Sequence, residues 1–288
     1  MTNDEGRLRF LRRRVEAPRR RFRRGVYLLP SLLTMGNMFC GYASIVYAMR
    51  AAGSNPPRSE DFERAALFIG FGFVLDILDG RVARLTGATS DFGLQFDSLA
   101  DVVSFGLAPA VLSLEWGLQP LHRLGWAVGF LFVAAAAMRL ARFNIQTAAG
   151  GDKRYFVGMP SPSAAAVPAA TVYAYPPGVH DDYRSALLVL LMVLVPAVLM
   201  VSTIRFRSFK TIDLQSRRPY TQLLVIALGI AAVATHPRFV LVAMAYAYLV
   251  SAFLGMAITR FRHRGGRATP ETPPGAADAG QPRDSAAG

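Results

Sequence analysis

Apolar runs long enough to cross a lipid bilayer are the feature that most constrains this chain. A transmembrane helix needs roughly 20 apolar residues, and about eight runs approach that length. Hydrophobic residues make up 52% of the 288 residues, and the mean hydropathy is +0.30. We therefore predict an all-α, polytopic integral membrane protein. The predicted spans are 27–49, 65–84, 95–116, 124–145, 157–177, 185–204, 221–236 and 238–259.

Two of these spans are irregular, and both ends of the chain differ from the middle. The fifth span is interrupted by Pro160, Pro162 and Pro168, and proline removes a helix hydrogen bond. The last two spans are separated only by a turn at His236–Pro237. We predict a basic N-terminal segment at 1–26, a transmembrane domain at 27–260, and a disordered tail at 261–288 that is rich in Pro, Gly and Ala.

The net charge of +13 is informative through its distribution, because Lys and Arg accumulate in the cytoplasmic loops of membrane proteins. Eight spans with a cytoplasmic N-terminus leave all but six of the 32 Lys and Arg on the inner side. We interpret the Arg-rich start as an orientation signal that contacts anionic lipid, and we expect no nucleic-acid partner. Both termini are predicted to face the cytoplasm. The outer exceptions are Arg50, Arg58, Arg64, Arg123, Arg184 and Arg238.

Four aspartates interrupt the second and third predicted spans. Asp76 and Asp79 are three residues apart, and Asp97 and Asp101 are four apart, so each pair shares one helix face. A loop of about ten residues between antiparallel helices would let the two faces meet near the cytoplasmic interface. An unpaired aspartate at a helix centre costs about 2.5–3.5 kcal/mol on insertion scales, so the cluster needs compensation by protonation, arginine or cations.

Divalent cations explain the cluster best, because Arg81 and Arg84 cannot neutralise four carboxylates. Mg²⁺ and Mn²⁺ prefer oxygen ligands, and four carboxylates suit a two-metal site for displacement at phosphorus. A zinc site of the Cys and His kind is disfavoured, since Cys40 is the only cysteine and no histidine falls near the aspartates. The histidines are His122, His180 and His236 in predicted outer loops and His263 in the tail.

The stretch from Asp76 to Asp101 reads D-x2-D-G-x2-A-R-x8-G-x3-D-x3-D. This pattern resembles the signature of the CDP-alcohol phosphatidyltransferase family. The resemblance implies that a CDP-activated lipid or alcohol donates its phosphoryl group to an acceptor hydroxyl and releases CMP. It also implies a six-helix core over about residues 27–204, two divalent cations (Mg²⁺ or Mn²⁺) and a homodimer.

The resemblance assigns roles to the motif residues. Asp76, Asp79, Asp97 and Asp101 would be metal ligands, and Asp101 would also be the general base toward the acceptor hydroxyl. Gly80, Ala83 and Arg84 would line the CDP group of the donor. Gly80 and Ala83 could instead serve small-residue helix packing. Arg84 could instead extend its charged end to the membrane interface.

Four further stretches resemble the integral-membrane phosphatidylserine synthases, a branch of that family: residues 29–45, 139–145, 158–166 and 208–210. The expected reaction transfers the phosphatidyl group of CDP-diacylglycerol to L-serine. Independently of the resemblance, a guanidinium can hold the serine carboxylate through two parallel hydrogen bonds. We therefore predict an acceptor site formed by Arg139, Arg142, Asn144 and Lys210.

Several alternatives stay open at this stage. Asn37 could reach the cytidine of the donor or could simply hydrogen-bond between helices, and either arginine of the acceptor site could instead be a topology signal. The acceptor could be glycerol 3-phosphate, an inositol phosphate or choline. From another class, the protein could be a cation transporter that uses the aspartates as its pathway.

Overall fold

The computed structural model describes residues 19–87, 90–148, 155–178, 182–202, 205–207 and 219–265. Most of the predicted basic segment and nearly all of the predicted tail lie outside these residues. The helices and strands are α1 (Arg19–Ala52), α2 (Ser59–Thr86), α3 (Asp91–Asp101), α4 (Ala108–Ser113), α5 (Arg123–Ala148), β1 (Tyr155–Val157), α6 (Ser161–Ala174), α7 (Tyr183–Val201), β2 (Arg205–Arg207), α8 (Pro219–Thr235) and α9 (Pro237–Gly265).

Helices α3 and α4 belong to one continuous helical rod that covers the third predicted span. A π-helical turn, Val102–Leu107, joins them without a break. A second π-helical turn, Leu114–Leu118, and a 3₁₀ turn, Gln119–Leu121, follow α4. The rod therefore changes its helical geometry immediately after Asp101, and π-helical turns are often found at functional sites.

Four segments are long and apolar enough to cross a membrane: Leu29–Ala52, Asp91–Leu121, Arg123–Gln146 and Tyr183–Val201. This finding confirms a helical membrane protein. Helix α2 has 28 residues, but its charged side chains, among them the motif aspartates, lower its hydropathy. Helix α6 has 14 residues and is about 21 Å long, less than the roughly 30 Å of a hydrocarbon core. The eight-span topology stays a prediction.

One short sheet departs from the all-helical prediction. Strands β1 and β2 pair antiparallel, with Phe156 opposite Phe206, and so connect the start of α6 to the end of α7. The chain passes very close to α7 here: a Cβ added at Gly158, whose φ is +85°, would lie 2.3 Å from the Met200 carbonyl oxygen. The Met159 N–H donates to the Leu199 carbonyl at 3.0 Å.

The turn between α2 and α3 is shorter than the ten residues predicted. Gly87 ends α2 in a left-handed conformation, φ 62°, and its N–H donates to the Ala83 carbonyl. Ser90 caps α3 by accepting a hydrogen bond from the Gly93 N–H at 3.0 Å. Glycine after the last turn and serine before the first are common helix boundary signals. Their effect is to extend both helices and to bring the two aspartate pairs close together.

Helix α1 packs along α2 and against the π-helical turn after α3. At Gly41 the two backbones approach closely, since an added Cβ there would lie 2.7 Å from the Ser104 Cα. The Ser104 hydroxyl donates to the Asn37 carbonyl at 2.8 Å, which fixes the π-helical turn against α1. The centre of the bundle is filled by fully buried side chains that include Phe62, Leu112, Leu118 and Phe132.

Candidate functional site

Three of the four motif aspartates converge between α2 and α3. Each of Asp76, Asp97 and Asp101 offers a carboxylate oxygen, and these oxygens all lie within 4.8 Å of one another. Asp101 is buried, and the other two are partly buried. The close approach of the two aspartate pairs, predicted from their spacing, is thus present in the structure. Like charges this close repel each other, so a positive partner would stabilise the ionised form of this cluster.

The fourth aspartate lies beside this cluster and is held by α1. Asp79 is buried and its carboxylate accepts a hydrogen bond from the Thr34 hydroxyl. Its charge still acts on Asp76 and Asp97. Asp79 therefore adds negative charge to the site while one of its oxygens is engaged by the neighbouring helix.

Asn37, three residues after Thr34 on α1, also contacts this site. Its side-chain N–H donates to Asp101 Oδ1 at 3.3 Å, and the residue is fully buried. Its Oδ1 has no hydrogen-bond partner among the described residues. An added Cβ at Gly72 would lie 2.9 Å from that oxygen. Asn37 thus orients the Asp101 carboxylate and retains a buried acceptor oxygen.

Arg139 approaches the cluster from α5. Its guanidinium donates to the Ser161 hydroxyl at the start of α6, and it attracts the charges of Asp101 and Asp76. Among the described residues, no ion pair within 4.0 Å joins Arg139 to a carboxylate. The guanidinium therefore lies near enough to the aspartates to interact with their charges without a direct ion pair, and it keeps donors that Ser161 does not use.

The other two described acceptor candidates have partners on neighbouring helices. Arg142 donates to the Val201 carbonyl at 3.2 Å, at the C-terminal end of α7. Asn144 donates to the Ser98 hydroxyl at 2.9 Å, and its Oδ1 is buried without a partner among the described residues. Asn144 thus contacts α3 between Asp97 and Asp101, whereas Arg142 turns toward α7. Lys210 lies outside the described residues.

The motif residues after Asp79 form the open side of the site. Gly80 is exposed, and an added Cβ there would meet only the tip of the Arg84 side chain, at 3.9 Å. Arg84 Nε donates to the Gly80 carbonyl at 2.7 Å, so this arginine folds back along α2. Ala83 is partly buried. The exposed surface at Gly80 leaves room for a ligand to contact the helix backbone.

The chemistry of the cluster fits a hard divalent cation. All its ligand atoms are carboxylate oxygens, the donors that Mg²⁺ and Mn²⁺ prefer. The described part of the structure brings no cysteine or histidine into this group. A group of three convergent carboxylates with an arginine nearby can bind a cation together with a phosphate-containing ligand.

Thr34 and Ser161 contact predicted site residues, although the sequence analysis did not identify them. Thr34 and Asn37 stand three apart on one face of an otherwise apolar helix, and they contact Asp79 and Asp101 respectively. Polar residues at helical spacing within an apolar run could have been recognised as a face directed at the aspartates. Ser161 gave no comparable signal, because its importance depends on how α5 packs against α6.

The fold and the site together define a helical membrane protein with an acidic centre between two helices. The sequence model of the CDP-alcohol phosphatidyltransferase family matches residues 27–204, more than half of the chain. The chain belongs to this family. The matched region ends after α7, so α8 and α9 lie outside it.

The chain is also similar to three proteins named CDP-diacylglycerol–serine O-phosphatidyltransferase. The protein of Helicobacter pylori is 41% identical over 192 residues, which cover 65% of this chain and 75% of the relative. The protein of Saccharomyces cerevisiae is 38% identical over 156 residues, or 52% of this chain and 55% of the relative. The protein of Bacillus subtilis is 31% identical over 182 residues, or 63% of this chain and 91% of the relative.

Proposed function

We propose that this protein transfers the phosphatidyl group of CDP-diacylglycerol to L-serine, which yields phosphatidylserine and CMP. The observation that carries the proposal is the convergence of Asp76, Asp97 and Asp101 within 4.8 Å in a chain of this family. The choice of serine is supported by the names of the similar proteins and by the arginine that faces the cluster.

Two divalent cations, Mg²⁺ or Mn²⁺, are the cofactors we propose. Asp76, Asp79, Asp97 and Asp101 would hold them, and the all-oxygen donor set supports this choice. When bound, such cations stabilise negative charge that develops on phosphoryl oxygens during displacement. The hydrogen bond from Thr34 to Asp79 leaves the second oxygen of that carboxylate available as a ligand.

Asp101 is the proposed general base. The Asn37 amide donates to one oxygen of its carboxylate, which orients the other oxygen toward the acceptor. In the transfer, the serine hydroxyl oxygen forms a bond to the lipid-linked phosphorus while Asp101 takes its proton. The bond from that phosphorus to CMP breaks, and CMP leaves with the electron pair.

The donor site we propose consists of Gly80, Ala83, Arg84 and Asn37. The open surface at Gly80 would let the CDP group lie against the backbone of α2. Arg84 reaches over this surface from its hydrogen bond to the Gly80 carbonyl, so its remaining donors can meet the diphosphate. The buried Oδ1 of Asn37 is an acceptor for the donor molecule.

The acceptor site we propose lies on the opposite side, at Arg139, Arg142, Asn144 and Lys210. Arg139 is its centre, because its guanidinium lies near enough to Asp101 for their charges to interact. A serine carboxylate held by this guanidinium would direct the hydroxyl toward the base. The unpartnered Oδ1 of Asn144 is a fitting acceptor for the serine ammonium group.

The proposed membrane arrangement has eight spans, a six-helix core over residues 27–204, and both termini and the active site at the cytoplasmic face of the cell membrane. It is supported by the concentration of Lys and Arg on one side. A Ser285→Cys variant tests it, since Cys40 is buried. An impermeant maleimide should label this variant in inverted vesicles and leave it unlabelled in right-side-out vesicles; the reverse pattern would refute a cytoplasmic tail.

The proposed homodimer follows from the family and is tested separately, by the mass of the purified protein in detergent after correction for bound detergent. A mass of one chain would reject it. Activity of such a monomer would show that each chain holds a complete site.

The first experiment is CMP release by the purified protein with CDP-diacylglycerol and either Mg²⁺ or Mn²⁺. L-Serine, glycerol 3-phosphate, an inositol phosphate and choline are supplied one at a time, and the lipid product is identified by mass. We expect release with serine only, and release slowed on the order of a thousandfold in an Asp97→Asn control. Selective release with another acceptor would keep the reaction class and reject serine.

The same protein preparation tests the transporter alternative. Aspartate-dependent uptake of a divalent isotope into sealed vesicles, without any CMP release from the lipid donor, would favour a transporter. We expect no such uptake, because the helical rod that follows the convergent carboxylates carries no acidic residue from Val102 to Leu114.

A further inference from the structure

Thr34 is a buried polar residue of α1 that contacts the acidic site. Its hydroxyl lies within hydrogen-bonding distance of two acceptors, the Pro30 carbonyl at 3.1 Å and the carboxylate of Asp79. A hydroxyl carries one proton, so these acceptors compete for it. Hydrogen bonds to an ionised group are about twice as strong as those between neutral groups. The ionised form of Asp79, which is the form that binds a cation, therefore takes the hydrogen bond from Thr34.

Asp79 is held differently from the other motif aspartates. Three of them bring carboxylate oxygens within 4.8 Å of one another, and Asp79 is outside that group. No Lys or Arg among the described residues forms an ion pair with Asp79. Its buried carboxylate instead accepts a hydrogen bond from Thr34 on a different helix. The orientation of this carboxylate thus depends on α1.

The hydrogen bond restricts the direction of the whole carboxylate. The terminal torsion of an aspartate side chain is otherwise broad. Because Thr34 engages Oδ2 of Asp79, rotation about this bond is limited, and Oδ1 is left as the ligand atom. Carboxylates that bind metal ions are commonly hydrogen-bonded in this way, and loss of such a partner typically lowers metal affinity about 10- to 100-fold.

Thr34 is itself held in place. In a helix, a threonine hydroxyl often faces the carbonyl four residues earlier, and Thr34 adopts this arrangement toward Pro30. Three residues later on α1, the Asn37 carbonyl accepts a hydrogen bond from the Ser104 hydroxyl at 2.8 Å, which ties α1 to the π-helical turn after α3. Helix α1 also packs along α2. The helix that carries Thr34 is therefore fixed relative to both helices that carry the aspartates.

We propose that Thr34 is a positioning residue for the cation site: its hydroxyl fixes the Asp79 carboxylate in the orientation in which Oδ1 binds a cation. This role rests on the proposed function, because it assumes that Asp79 is a cation ligand. It goes beyond that function by giving α1, which carries none of the motif aspartates, a direct part in cation affinity. Thr34 and Asp79 would act as a unit in the same binding step.

Mn²⁺ binding to the purified protein in detergent, without any substrate, tests this role. Free Mn²⁺ is measured by electron paramagnetic resonance, so the result is a Kd and not an activity. Thr34→Val has nearly the shape of threonine but lacks the hydroxyl, and it should raise the Kd about 10- to 100-fold. Thr34→Ala removes the hydroxyl without placing a methyl group beside the carboxylate, and it should raise the Kd to a similar extent. Thr34→Ser keeps the hydroxyl and should keep a Kd near that of the wild type.

Ser44→Ala is the matched control on the same helix. Ser44 is fully buried, and its hydroxyl has no hydrogen-bond partner within the described part of the chain. Its removal should leave the Kd for Mn²⁺ at the wild-type value. A Kd raised equally by Ser44→Ala would overturn the role of Thr34, because loss of any buried hydroxyl from α1 would then disturb the site.

A double mutant with Asp79→Asn shows whether Thr34 acts through Asp79. Asp79→Asn alone should raise the Kd, because it removes a ligand. Adding Thr34→Val to it should then change the Kd less than Thr34→Val changes that of the wild type. Full additivity would overturn the positioning role, as would an unchanged Kd in both Thr34→Val and Thr34→Ala. An equally large rise in Thr34→Ser would also overturn it, since the hydroxyl would then not be the cause.

These outcomes are distinguishable from failure of the proposed function. If the wild type binds Mn²⁺ and releases CMP, an unchanged Kd in Thr34→Val and Thr34→Ala rejects the positioning role alone. Mn²⁺ binding without CMP release under any condition rejects the transferase, and the Kd values of the variants still decide the role of Thr34. Mn²⁺ binding that Asp79→Asn does not weaken rejects Asp79 as a ligand and the positioning role with it. Absence of Mn²⁺ binding to the wild type rejects the cation site and the positioning role together.

Discussion

Helix α2 carries acidic side chains near both of its ends. The two groups differ in whether arginines pair with them. Near its start, Asp61 is almost fully buried and is paired with two arginines, Arg64 at 3.0 Å and Arg50 at 3.2 Å. About 22 Å further along the helix, Asp76 meets Asp97 and Asp101 with no arginine within 4.0 Å among the described residues.

The difference shows how a structural carboxylate can be distinguished from one kept for a ligand. Asp61 is neutralised within the protein, and its place in the first turn of α2 adds a favourable interaction with the helix dipole. The cluster at the other end has no arginine paired with it among the described residues, so ionisation of all its carboxylates would leave excess negative charge. A cation that enters the site would stabilise the ionised form, and four predictions test this contrast.

Asp97→Asn should have the largest effect on activity. Removal of a ligand carboxylate should lower the rate of CMP release on the order of a thousandfold, since cation stabilisation contributes several kcal/mol. In the cation-free protein, the same change should leave the melting temperature unchanged or higher, because it relieves repulsion from Asp76. Asp91→Asn is the control, an exposed aspartate in the first turn of the same helix. Near-wild-type release at saturating Mg²⁺ would reject the cation site.

Asp101→Asn should lower turnover by about a hundredfold or more, the usual contribution of a general base. Binding of CDP-diacylglycerol, measured by isotope-labelled donor retained on the immobilised protein, should persist. A pH–rate profile with wild-type magnitude would exclude Asp101 as the base. Loss of donor binding together with turnover would instead make it a ligand only.

Asp61→Asn should lower stability and leave activity nearly unchanged, the reverse of the effect of Asp97→Asn. Removing the shared partner of two arginines should lower the free energy of unfolding by about 1–3 kcal/mol, less than for a fully buried pair because both arginines are about half exposed. The activity per folded molecule should remain near that of the wild type, and the melting temperature in detergent should fall. A large loss of activity in a protein of unchanged stability would reject the interpretation that Asp61 only stabilises the fold.

Two glycines of α2 give the smallest and most selective effects. Gly80→Ala should stabilise the helix by about 0.5 kcal/mol but raise the KM for CDP-diacylglycerol about tenfold, the cost of one extra methyl group in a fitted site. Gly70→Ala is the matched control, because an added Cβ there meets nothing within 4 Å. It should give the same gain in stability with no change in KM. Equal KM values for both variants would remove Gly80 from the donor site.

Sequence spacing predicted the helical membrane fold and the approach of the two aspartate pairs, because both depend on local periodicity. The length of the α2–α3 turn was wrong, although Gly87 and Ser90 carried the signals that shorten it. The link of Asp79 to Thr34, and that of Arg142 to the Val201 carbonyl, could not be predicted. They depend on how helices distant in sequence pack together.

The π-helical turn after Asp101 sets the directions in which side chains point before and after it along the rod. Each residue of an α-helix advances the side-chain direction by about 100°, and a π-helical turn accommodates one residue more than an α-helical turn. The turn therefore sets the angle between the aspartates before it and the apolar packing surface of α4 after it. Deletion of one residue within Val102–Leu107 would restore a regular helix and rotate Asp97 and Asp101 together away from Asp76. The spacing of the aspartates would be unchanged, while the carboxylates would no longer meet.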